Sequence, residues 1–534
     1  MLVLLSTVLQ ILIFPLPNLY FLSWIALAPL LVALLRAREP DTLQLSDGAR
    51  LLPARPLQGF VMAYVSGIVW YAGTCYWVFS TMKQYGGAGA PAAFGITLLF
   101  CLYVGLYHGA FGLLLGLISG AANVRRALVA APFLWVALEF ARTRITGFPW
   151  DLLGIAQVDN VPLARVASVT GVYGISLEIF IVNVAFAAAF LVPRARRKPL
   201  LLASVLAATV LQAGQWVPIA PAEADRTALL VQANIPILQS ADWTSDYFNT
   251  TLQDLTWISV NPPGGRPHNL DLVVWPEAPA PFEVDDPRFR QTAAGVAQQS
   301  RAWLLAGSLG ANVTARPSQR VAETYNSAAL FNPAGELSAR YDKIHLVPFG
   351  EYVPFRRIFF FASGLTEQVG DFSRGASRAP LTAGDEKLGV FICYESIFPD
   401  EVRQLALNGA QVFVNISNDG WYGDSGAYAQ HLKQARMRAV ENARWLLRDT
   451  NTGVTAAIDP YGRIAAVVPR KLRTVLKAPY ARTGRTTFYT RHGDWLAYVC
   501  AIISLGALLM RLLKQRSAGV PPAVAGSSGP RISG

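Results

Sequence analysis

The stretch LGVFICYESIFPD, residues 388–400, places a cysteine where one kind of local structure gives way to another. The apolar run before Cys393 has the character of a buried β-strand, and Pro399, Asp400 and Glu401 are typical of the first turn of a helix. A thiol on a strand-to-helix turn is exposed, and nearby backbone N–H groups can stabilise a thiolate and a developing oxyanion. Cys393 is therefore a candidate nucleophile, with a small apolar core residue as the alternative.

The other three cysteines do not offer Cys393 a disulfide partner. Cys75, Cys101 and Cys500 all lie within apolar runs that we interpret below as membrane spans. In an oxidising compartment, a lone thiol is a liability unless it is buried or used.

The region around Cys393, residues 221–488, alternates short β-rich runs with helical patterns. Strands are expected at 227–235, 270–277, 302–310, 327–333, 387–395, 411–419 and 455–464, and helices at 286–301, 399–410 and 429–445. The Pro-Ala-Gly sequence at 333–335 predicts a hairpin turn. Several strands are continuously apolar, as in a sheet buried on both faces, so we predict a layered α/β domain of roughly 260 residues.

Histidine is a weak candidate for the base that would activate the thiol. His108 lies in a predicted span, His268 lies in a Pro/Gly-rich loop, and His492 lies near the last span. A Cys-His dyad with His345 remains an alternative, and His431 is the one other option. The sequence has no Cys/His cluster with metal-ligand spacing, so we expect no metal site.

Carboxylates and a lysine are better placed than the histidines. Glu277 ends a buried type of strand directly after Trp275 and Pro276, and Lys343 and Glu351 lie eight residues apart in RYDKIHLVPFGEYVPFR, residues 340–356. Glu277 can take the thiol proton, while Lys343 can hold a positive charge over a substrate oxygen. Taken singly, each of these residues could equally be an ordinary surface charge.

The composition shows that part of the chain lies in lipid. Of the 534 residues, 53% are hydrophobic and only 15% are charged. Apolar runs near the length that crosses about 30 Å of hydrocarbon occupy 1–36, 59–81, 92–121, 126–143, 162–193, 199–217 and 495–513. The first run is long enough for two spans broken at 15–18, so we predict about eight spans.

This pattern divides the chain into four parts. Residues 1–220 form a membrane domain with about seven helices, 221–488 form the α/β domain, and 489–516 form a last membrane helix. The tail, residues 517–534, is small, polar and rich in Pro and Gly, so we predict disorder there.

Basic residues orient the predicted spans, because short loops rich in Lys and Arg stay cytoplasmic. Alternate loops are basic and therefore lie on one side: Arg36, Arg38, Arg50 and Arg55; Arg125 and Arg126; Arg194, Arg196, Arg197 and Lys198; and Arg511, Lys514 and Arg516. The α/β domain then faces outward. These anchors, facing anionic lipid headgroups, partly account for the net charge of +12, so no nucleic-acid partner is implied.

Ionisable residues also occur in and beside the spans. Glu139, Arg142 and Arg144 precede TGFPW, residues 146–150, and Glu178 lies in a span. Charges at membrane depth are functional by default. Contact with lipid headgroups and pairing between helices explain these four equally well, and we assign none of them to catalysis.

Three ordered motifs resemble the Glu-Lys-Cys triad of the nitrilase superfamily: WPE at 275–277, YDKIHLVPFGEYVP at 341–354 and CYE at 393–395. Four further segments resemble one membrane branch of it, the apolipoprotein N-acyltransferases. They are TGFPWDLLG at 146–154, QANIP at 232–236, NISNDGWYG at 415–423 and QHLKQARMRAVENARWLLRDTNTG at 430–453. The resemblance covers nearly the whole chain.

The resemblance implies an αββα nitrilase-like fold and a set of roles. Glu277 would be the general base, Lys343 the cation that stabilises the oxyanion, and Cys393 the nucleophile. Glu351 would position the lysine, and Tyr394 and Glu395 would flank the nucleophile. Substrate-binding and flap roles would fall to Trp243, Phe349, Trp421 and Tyr422.

The resemblance also implies a two-step acyl transfer in a bacterial inner membrane, with the catalytic domain in the periplasm. A phospholipid, with phosphatidylethanolamine as the expected donor, would give its acyl chain to the amino terminus of a diacylglyceryl-modified apolipoprotein. We expect no cofactor and a monomer. Two alternatives remain open: a membrane-tethered amidase in which water resolves the thioester, and a transporter or sensor whose outward domain only binds. Few charged residues in the spans and no apparent inverted repeat argue against transport.

Overall fold

The computed structural model describes residues 1–36, 52–120, 123–192, 194–238, 242–265, 267, 269–316, 319–352 and 372–518. Arg38, Arg50, His268 and the tail from 519 onward lie outside these ranges. The described chain consists of a bundle of apolar helices and an α/β body, residues 226–480.

The helices of the N-terminal part follow the apolar runs of the sequence. They are α1 (Leu2–Leu12), α2 (Ala28–Leu35), α3 (Pro56–Thr74), α4 (Trp77–Gln84), α5 (Ala90–Ser119), α6 (Val124–Ala141), α7 (Val161–Ala164), α8 (Ala167–Thr170), α9 (Val172–Leu191) and α10 (Arg194–Ala213). A 3₁₀ turn, Tyr20–Trp24, precedes α2.

Each of the eight predicted spans contains a helix. Among the described helices, however, four have the length and the apolar composition needed to cross a membrane. These are Ala90–Ser119, Val172–Leu191, Ala195–Trp216 and Trp495–Leu513, so the prediction of about eight is met only in part. The first run divides into short helices around Pro15 and Pro17, and run 162–193 breaks at Gly171, which has φ +67°. α6 also carries three charged residues, Arg125, Arg126 and Glu139.

Glycine allows α3 and α5 to pack with their backbones in contact. A Cβ on Gly112 of α5 would lie 2.0 Å from the carbonyl oxygen of Gly59 in α3, and a Cβ on Gly67 would lie 2.7 Å from His108. Small residues of this kind let apolar helices approach closely where no water drives their association.

The described residues of the α/β body form twelve strands and four helices, α11 to α14. The strands are β1 (Arg226–Gln232), β2 (Leu272–Trp275), β3 (Trp303–Arg316), β4 (Gln319–Phe331), β5 (Leu337–Asp342), β6 (Leu381–Ala383), β7 (Glu386–Ile392), β8 (Val412–Ser417), β9 (Leu446–Thr450), β10 (Thr455–Ile458), β11 (Ile464–Val468) and β12 (Thr474–Tyr480). The helices of this half are α11 (Ser245–Val260), α12 (Pro287–Ser300), α13 (Pro399–Leu407), α14 (Ala427–Asn442), α15 (Phe488–His492) and α16 (Trp495–Ala518).

The strands form two six-stranded sheets, in the orders β12-β1-β2-β3-β4-β5 and β11-β10-β9-β8-β7-β6. β1, β2 and β3 are parallel to one another, as are β7, β8 and β9. β3, β4 and β5 are antiparallel neighbours, and the predicted hairpin turn connects the last two. β5 therefore runs in the same direction as β2.

Alternate side chains of each sheet enter different cores, because successive residues of a strand point to opposite faces. Leu230, Val274, Val390 and Val414 pack between the two sheets, together with Ile392. The opposite face of the first sheet packs on α11 and α12, and that of the second sheet packs on α13 and α14. The layers are thus αββα, as the resemblance implied.

The run 455–464, which we predicted as one strand, is two strands joined by a turn. Asp459 ends β10 because its Oδ1 accepts hydrogen bonds from the backbone N–H groups of Tyr461 and Arg463. The sequence Asp-Pro-Tyr-Gly at 459–462 was an available turn signal, which the strand prediction did not use to separate β10 from β11. The pattern also did not predict α11, β9 or β12.

We predict that Gly112→Ala destabilises the helical bundle. The new methyl group must push α3 away from α5, and such overpacking costs about 1–3 kcal/mol, so the midpoint of thermal unfolding in detergent should fall. Gly95→Ala is the matched control in the same helix, because a Cβ there meets nothing within 4 Å. Equal midpoints for the two variants would contradict the close packing of α3 on α5.

Candidate active site

The carboxyl ends of strands from both sheets meet at one end of the α/β body. Glu277 follows β2, Lys343 follows β5, and Cys393 follows β7. Asn418 follows β8, and its backbone N–H donates to Oε2 of Glu277 over 2.8 Å. This hydrogen bond joins the two sheets at the point where the three predicted residues converge.

Glu277 is buried, with 6% of its surface exposed. Its Oε1 accepts hydrogen bonds from Lys343 Nζ at 3.1 Å and from Asn326 Nδ2 at 2.8 Å. Gly307 of the neighbouring β3 makes this close packing possible, because a Cβ there would lie 2.0 Å from the carbonyl oxygen of Pro276.

Lys343 lies between two carboxylates. Its Nζ donates to Glu351 Oε1 at 2.9 Å as well as to Glu277, and only 1% of the residue is exposed. Burial lowers the pKa of Lys343, but the charges of Glu277 and Glu351 outweigh this and hold it well above the usual value. The lysine is therefore a fixed positive charge.

Asn326, in the middle of β4, binds both carboxylates. Its Nδ2 donates to Glu277 Oε1 at 2.8 Å and to Glu351 Oε1 at 2.7 Å. Glu351 Oε2 accepts from the backbone N–H of Val347 at 2.8 Å. Sequence analysis missed Asn326, although a polar amide within the apolar strand TYNSAALF was an available signal.

Cys393 begins a 3₁₀ turn, Cys393–Ile397, which we name the Cys393 turn. The residue has φ +48°, a left-handed conformation that is strained for any residue with a side chain, and is 6% exposed. Burial raises the pKa of its thiol, as does the charge of Glu277, while Lys343 lowers it; the net result is well above the usual range. The thiol is therefore protonated at neutral pH.

Glu395 connects the backbone on either side of the site. Its Oε1 accepts from the N–H groups of Ile344 and His345, at 2.6 and 3.1 Å, and its Oε2 accepts from the N–H of Ile392 at 2.6 Å. The hydroxyl of Tyr341 donates to both oxygens. Burial raises the pKa of Glu395 to about 7, although the backbone donors lower it. The carboxylate thus ties the segment after Lys343 to the strand before Cys393.

None of the contacts described for His345 and His431 is with the sulfur of Cys393. His345 Nδ1 lies 3.2 Å from Glu401 Oε2, and its ring packs on Phe398 at 4.2 Å between centroids. His431 Nε2 lies 3.0 Å from the backbone oxygen of Cys393 rather than from its sulfur. The alternative of a Cys-His dyad through His345 therefore finds no support in these contacts.

Tyr394, Trp421 and Tyr422 lie where the α/β body meets the helical bundle. The Tyr394 hydroxyl donates to the Gly147 oxygen at 3.1 Å. The backbone oxygen of Trp421 accepts from Thr81 at 3.0 Å, and its ring packs edge-on against Tyr85. Tyr422 packs edge-on against rings that include Trp77, Trp150 and His431.

Phe349 and Trp243 occupy other places. Phe349 lies in the loop between Lys343 and Glu351, with φ +62°, and its N–H donates to the oxygen of Tyr352. Trp243 precedes α11, where its ring lies tilted against that of Tyr247, 5.1 Å between centroids, and packs on the outer core of the first sheet. The contacts described for Trp243 do not bring it to the triad.

Three of the four ionisable residues near the spans bond within the protein. Glu139 Oε1 accepts from the N–H of Leu153 at 2.7 Å, and Arg142 donates to the oxygen of Trp150 at 2.7 Å. Arg144 forms ion pairs with Asp400 at 3.1 Å and with Asp494 at 2.7 Å. Glu178 is half-buried in α9.

Two family models match the chain in succession. One, described as the apolipoprotein N-acyltransferase N-terminal domain, matches residues 6–185, and the other, described as carbon-nitrogen hydrolase, matches residues 215–484. Among solved structures, the nitrilase-superfamily protein Nit3 of Saccharomyces cerevisiae is 19% identical, with a TM-score of 0.35 over 49% of this chain and 93% of its own. A variant of an amidase from Nesterenkonia sp. AN1, in complex with butyramide, is also 19% identical, with a TM-score of 0.36 over 53% and 99%.

Curated relatives named apolipoprotein N-acyltransferase match most of the chain. The protein from Geobacter metallireducens is 34% identical over 505 residues, which make up 93% of this chain and 92% of the relative. The protein from Azotobacter vinelandii is 33% identical over 489 residues, or 88% and 90%. Since these matches extend over both the helical bundle and the α/β body, the chain belongs to the apolipoprotein N-acyltransferase family.

Proposed function

We propose that the protein transfers a fatty acyl chain from a phospholipid, through a thioester on Cys393, to the α-amino group of an N-terminal diacylglyceryl-cysteine. The observation that carries the proposal is a buried Glu277–Lys343 pair beside a thiol whose turn packs directly on apolar helices. Both substrates are lipid-anchored, so a site at the membrane raises their effective concentration.

Glu277 acts as general base in the first step. Because the raised pKa keeps the Cys393 thiol protonated, its proton passes to Glu277 as sulfur attacks the ester carbonyl carbon. Lys343 Nζ and backbone N–H groups stabilise the oxyanion. The carbon–oxygen bond of the ester then breaks, Glu277 returns the proton to the leaving oxygen, and a lysophospholipid departs.

The second step uses the same groups in turn. The acceptor amine attacks the thioester carbon, Glu277 removes a proton from the nitrogen, and the carbon–sulfur bond breaks. That proton then returns to the sulfur, which restores the thiol, while the acceptor leaves as an amide. Glu351 and Asn326 hold Lys343 and Glu277 in place through both steps.

The apolar surroundings of the Cys393 turn support a lipid substrate. Tyr394, Ile397, Phe398 and Tyr422 belong to the same buried apolar cluster as the membrane helices. An acyl chain bound beside this turn would therefore lie in apolar surroundings continuous with the membrane helices, and the same contacts exclude water from the thioester. We propose that Trp421, Tyr422 and Phe349 form a flap that covers the Cys393 turn on the side of the membrane helices. Trp243 contributes to substrate binding from its position before α11.

The helix ends support an eight-span topology. Six ends of the helices in the predicted spans contact the α/β body, at Pro15, Tyr20, Tyr76, Gly147, Val172 and Ala220. Asp494, which precedes the last helix, pairs with Arg144 at the same end of the bundle. At the opposite end, Gly120 lies against the guanidinium of Arg511. We propose that α1, the segment Tyr20–Leu35, α3 and α6 also cross the membrane. Residues 1–220 and 489–516 are then membrane parts, and 221–488 faces the periplasm from the inner membrane.

We propose further that the protein works as a monomer, because one chain supplies the entire cluster and its apolar surroundings. Phosphatidylethanolamine is the proposed donor.

We predict that the purified protein, incubated with phosphatidylethanolamine, acquires one acyl group on Cys393. Intact mass should show the adduct, hydroxylamine should remove it, and Cys393→Ala should not form it. Added diacylglyceryl lipopeptide should then carry the acyl group on its amino terminus. Release only as free fatty acid would contradict acyl transfer and favour a hydrolase, and Cys75→Ala is the control for a buried cysteine away from the proposed chemistry.

We predict that Asn326→Leu slows formation of this acyl-enzyme by about 10–100-fold, because each charge-assisted hydrogen bond is worth about 1.5–3 kcal/mol. Asn312→Leu is the matched control, since Asn312 lies on the exposed part of the β3–β4 hairpin. Equal acylation rates for the two variants would show that the amide of Asn326 does not support the carboxylates.

We predict that a membrane-impermeant maleimide labels Asp285→Cys in intact spheroplasts but labels Arg125→Cys only after lysis. Asp285 is 71% exposed on the α/β body, and Arg125 is exposed at the opposite end of the bundle. All four native cysteines are buried, which keeps the background low. The reverse labelling pattern would place the α/β body in the cytoplasm.

A further inference from the structure

A fully buried polar network lies beneath the Cys393 turn. His431, in α14, places Nε2 at 3.0 Å from the backbone oxygen of Cys393 and at 2.7 Å from Ser396 Oγ. Its Nδ1 lies 2.9 Å from Asp419 Oδ1, while Arg448 of β9 donates to Asp419 Oδ2 at 2.8 Å. His431, Asp419 and Arg448 are at most 1% exposed, so substrate cannot reach them in this conformation.

The strained conformation of Cys393 needs such a network. A left-handed backbone costs a residue with a Cβ roughly 1–2 kcal/mol and persists only where its surroundings hold it. Glu395 holds the N–H of Ile392 on one side of Cys393. His431 holds the carbonyl on the other side, so the two contacts together define the backbone that carries the sulfur.

The carbonyl of Cys393 and the N–H of Tyr394 belong to one planar trans peptide and point in opposite directions. A contact that holds the carbonyl toward His431 therefore directs the Tyr394 N–H away from it. N–H groups at the start of a helical turn lack partners within that turn and are available to a developing oxyanion.

We propose that His431, held by Asp419 and Arg448, is a positioning residue that donates from Nε2 to the Cys393 oxygen and thereby sets the sulfur and the Tyr394 N–H for acyl transfer. The inference rests on the proposed role of Cys393 as nucleophile. It assigns His431 no proton transfer to or from substrate.

The proton positions follow from the partners. A carbonyl oxygen only accepts, so the contact with Cys393 requires a proton on Nε2. Burial, followed by the charge of Arg448, lowers the pKa of His431, while Asp419 raises it. Asp419 Oδ1, 2.9 Å from Nδ1, is a carboxylate oxygen that also only accepts, so this contact requires a proton on Nδ1 as well. The ring that makes both contacts is therefore the imidazolium, stabilised by the charge of Asp419.

Two variants, His431→Gln and His431→Asn, carry the same amide group at different distances from the backbone. They therefore distinguish a role of His431 in positioning the Cys393 carbonyl from a general role in packing. The nitrogen of His431→Gln can reach the place of Nε2 and donate to the Cys393 oxygen, whereas that of His431→Asn stops near Nδ1 and faces Asp419. The probe is p-nitrophenyl butyrate, whose acyl transfer to Cys393 is read as a p-nitrophenol burst and by intact mass. This readout does not depend on the natural phospholipid.

We predict that His431→Asn lowers the maximal acylation rate about 10–100-fold, as expected for a nucleophile displaced by a fraction of an ångström to 1 Å. The ester concentration at half-maximal rate should stay the same, and His431→Gln should keep most of the wild-type rate. The thermal unfolding midpoints of the two variants should be alike. Equal maximal rates for Asn and Gln, or a change only in half-saturation, would overturn the inference.

Ser396→Ala provides a second test, since it removes the other group near Nε2 and leaves the Cys393 oxygen in place. Its acylation rate should exceed that of His431→Asn by at least about tenfold; a loss as large as that of His431→Asn would make Ser396 the functional partner and overturn the inference. Absence of any burst in the wild-type protein would overturn the nucleophile assignment itself. Normal acylation of wild type with equal Asn and Gln variants would overturn the positioning role alone.

Discussion

The ammonium group of Lys343 lies between two buried carboxylates, and the surrounding backbone is arranged to satisfy those charges. Two carboxylates and one lysine leave an excess negative charge, which is costly in a buried site unless donors surround it. Asn326 and the N–H groups of Val347 and Asn418 supply those donors. Because these donors come from both sheets, the requirement to compensate the charge also fixes how the sheets meet.

The same end of the α/β body makes the contact with the membrane helices. Tyr394 and Tyr422 flank the site and pack on residues of the bundle, so the apolar surface around the thiol continues into the interior of the helices. The position of the cluster, more than its composition, therefore suits a substrate that arrives through the bilayer.

Much of the site could be inferred from sequence, because the triad residues are adjacent in sequence to strands that have a recognisable pattern. Glu277, Lys343 and Cys393 each follow a strand directly, so strand patterns place them at the carboxyl ends of strands. The αββα layers were implied by resemblance and confirmed, whereas about eight spans were expected and four described helices meet the requirements of length and apolarity. Proline and glycine interruptions shorten the remaining helices, and a count of apolar residues does not register such breaks.

The sequence by itself determined which residue types stand at the strand ends, which segments are apolar enough for lipid, and the family to which the chain belongs. Only the tertiary structure decided which groups touch. It placed Asn326 between two carboxylates, made Glu395 a link between two backbone segments, and directed His431 to the carbonyl of Cys393 rather than to its sulfur. These contacts join residues 38 to 51 positions apart, and their geometry depends on how the sheets and helices pack, which no local pattern encodes.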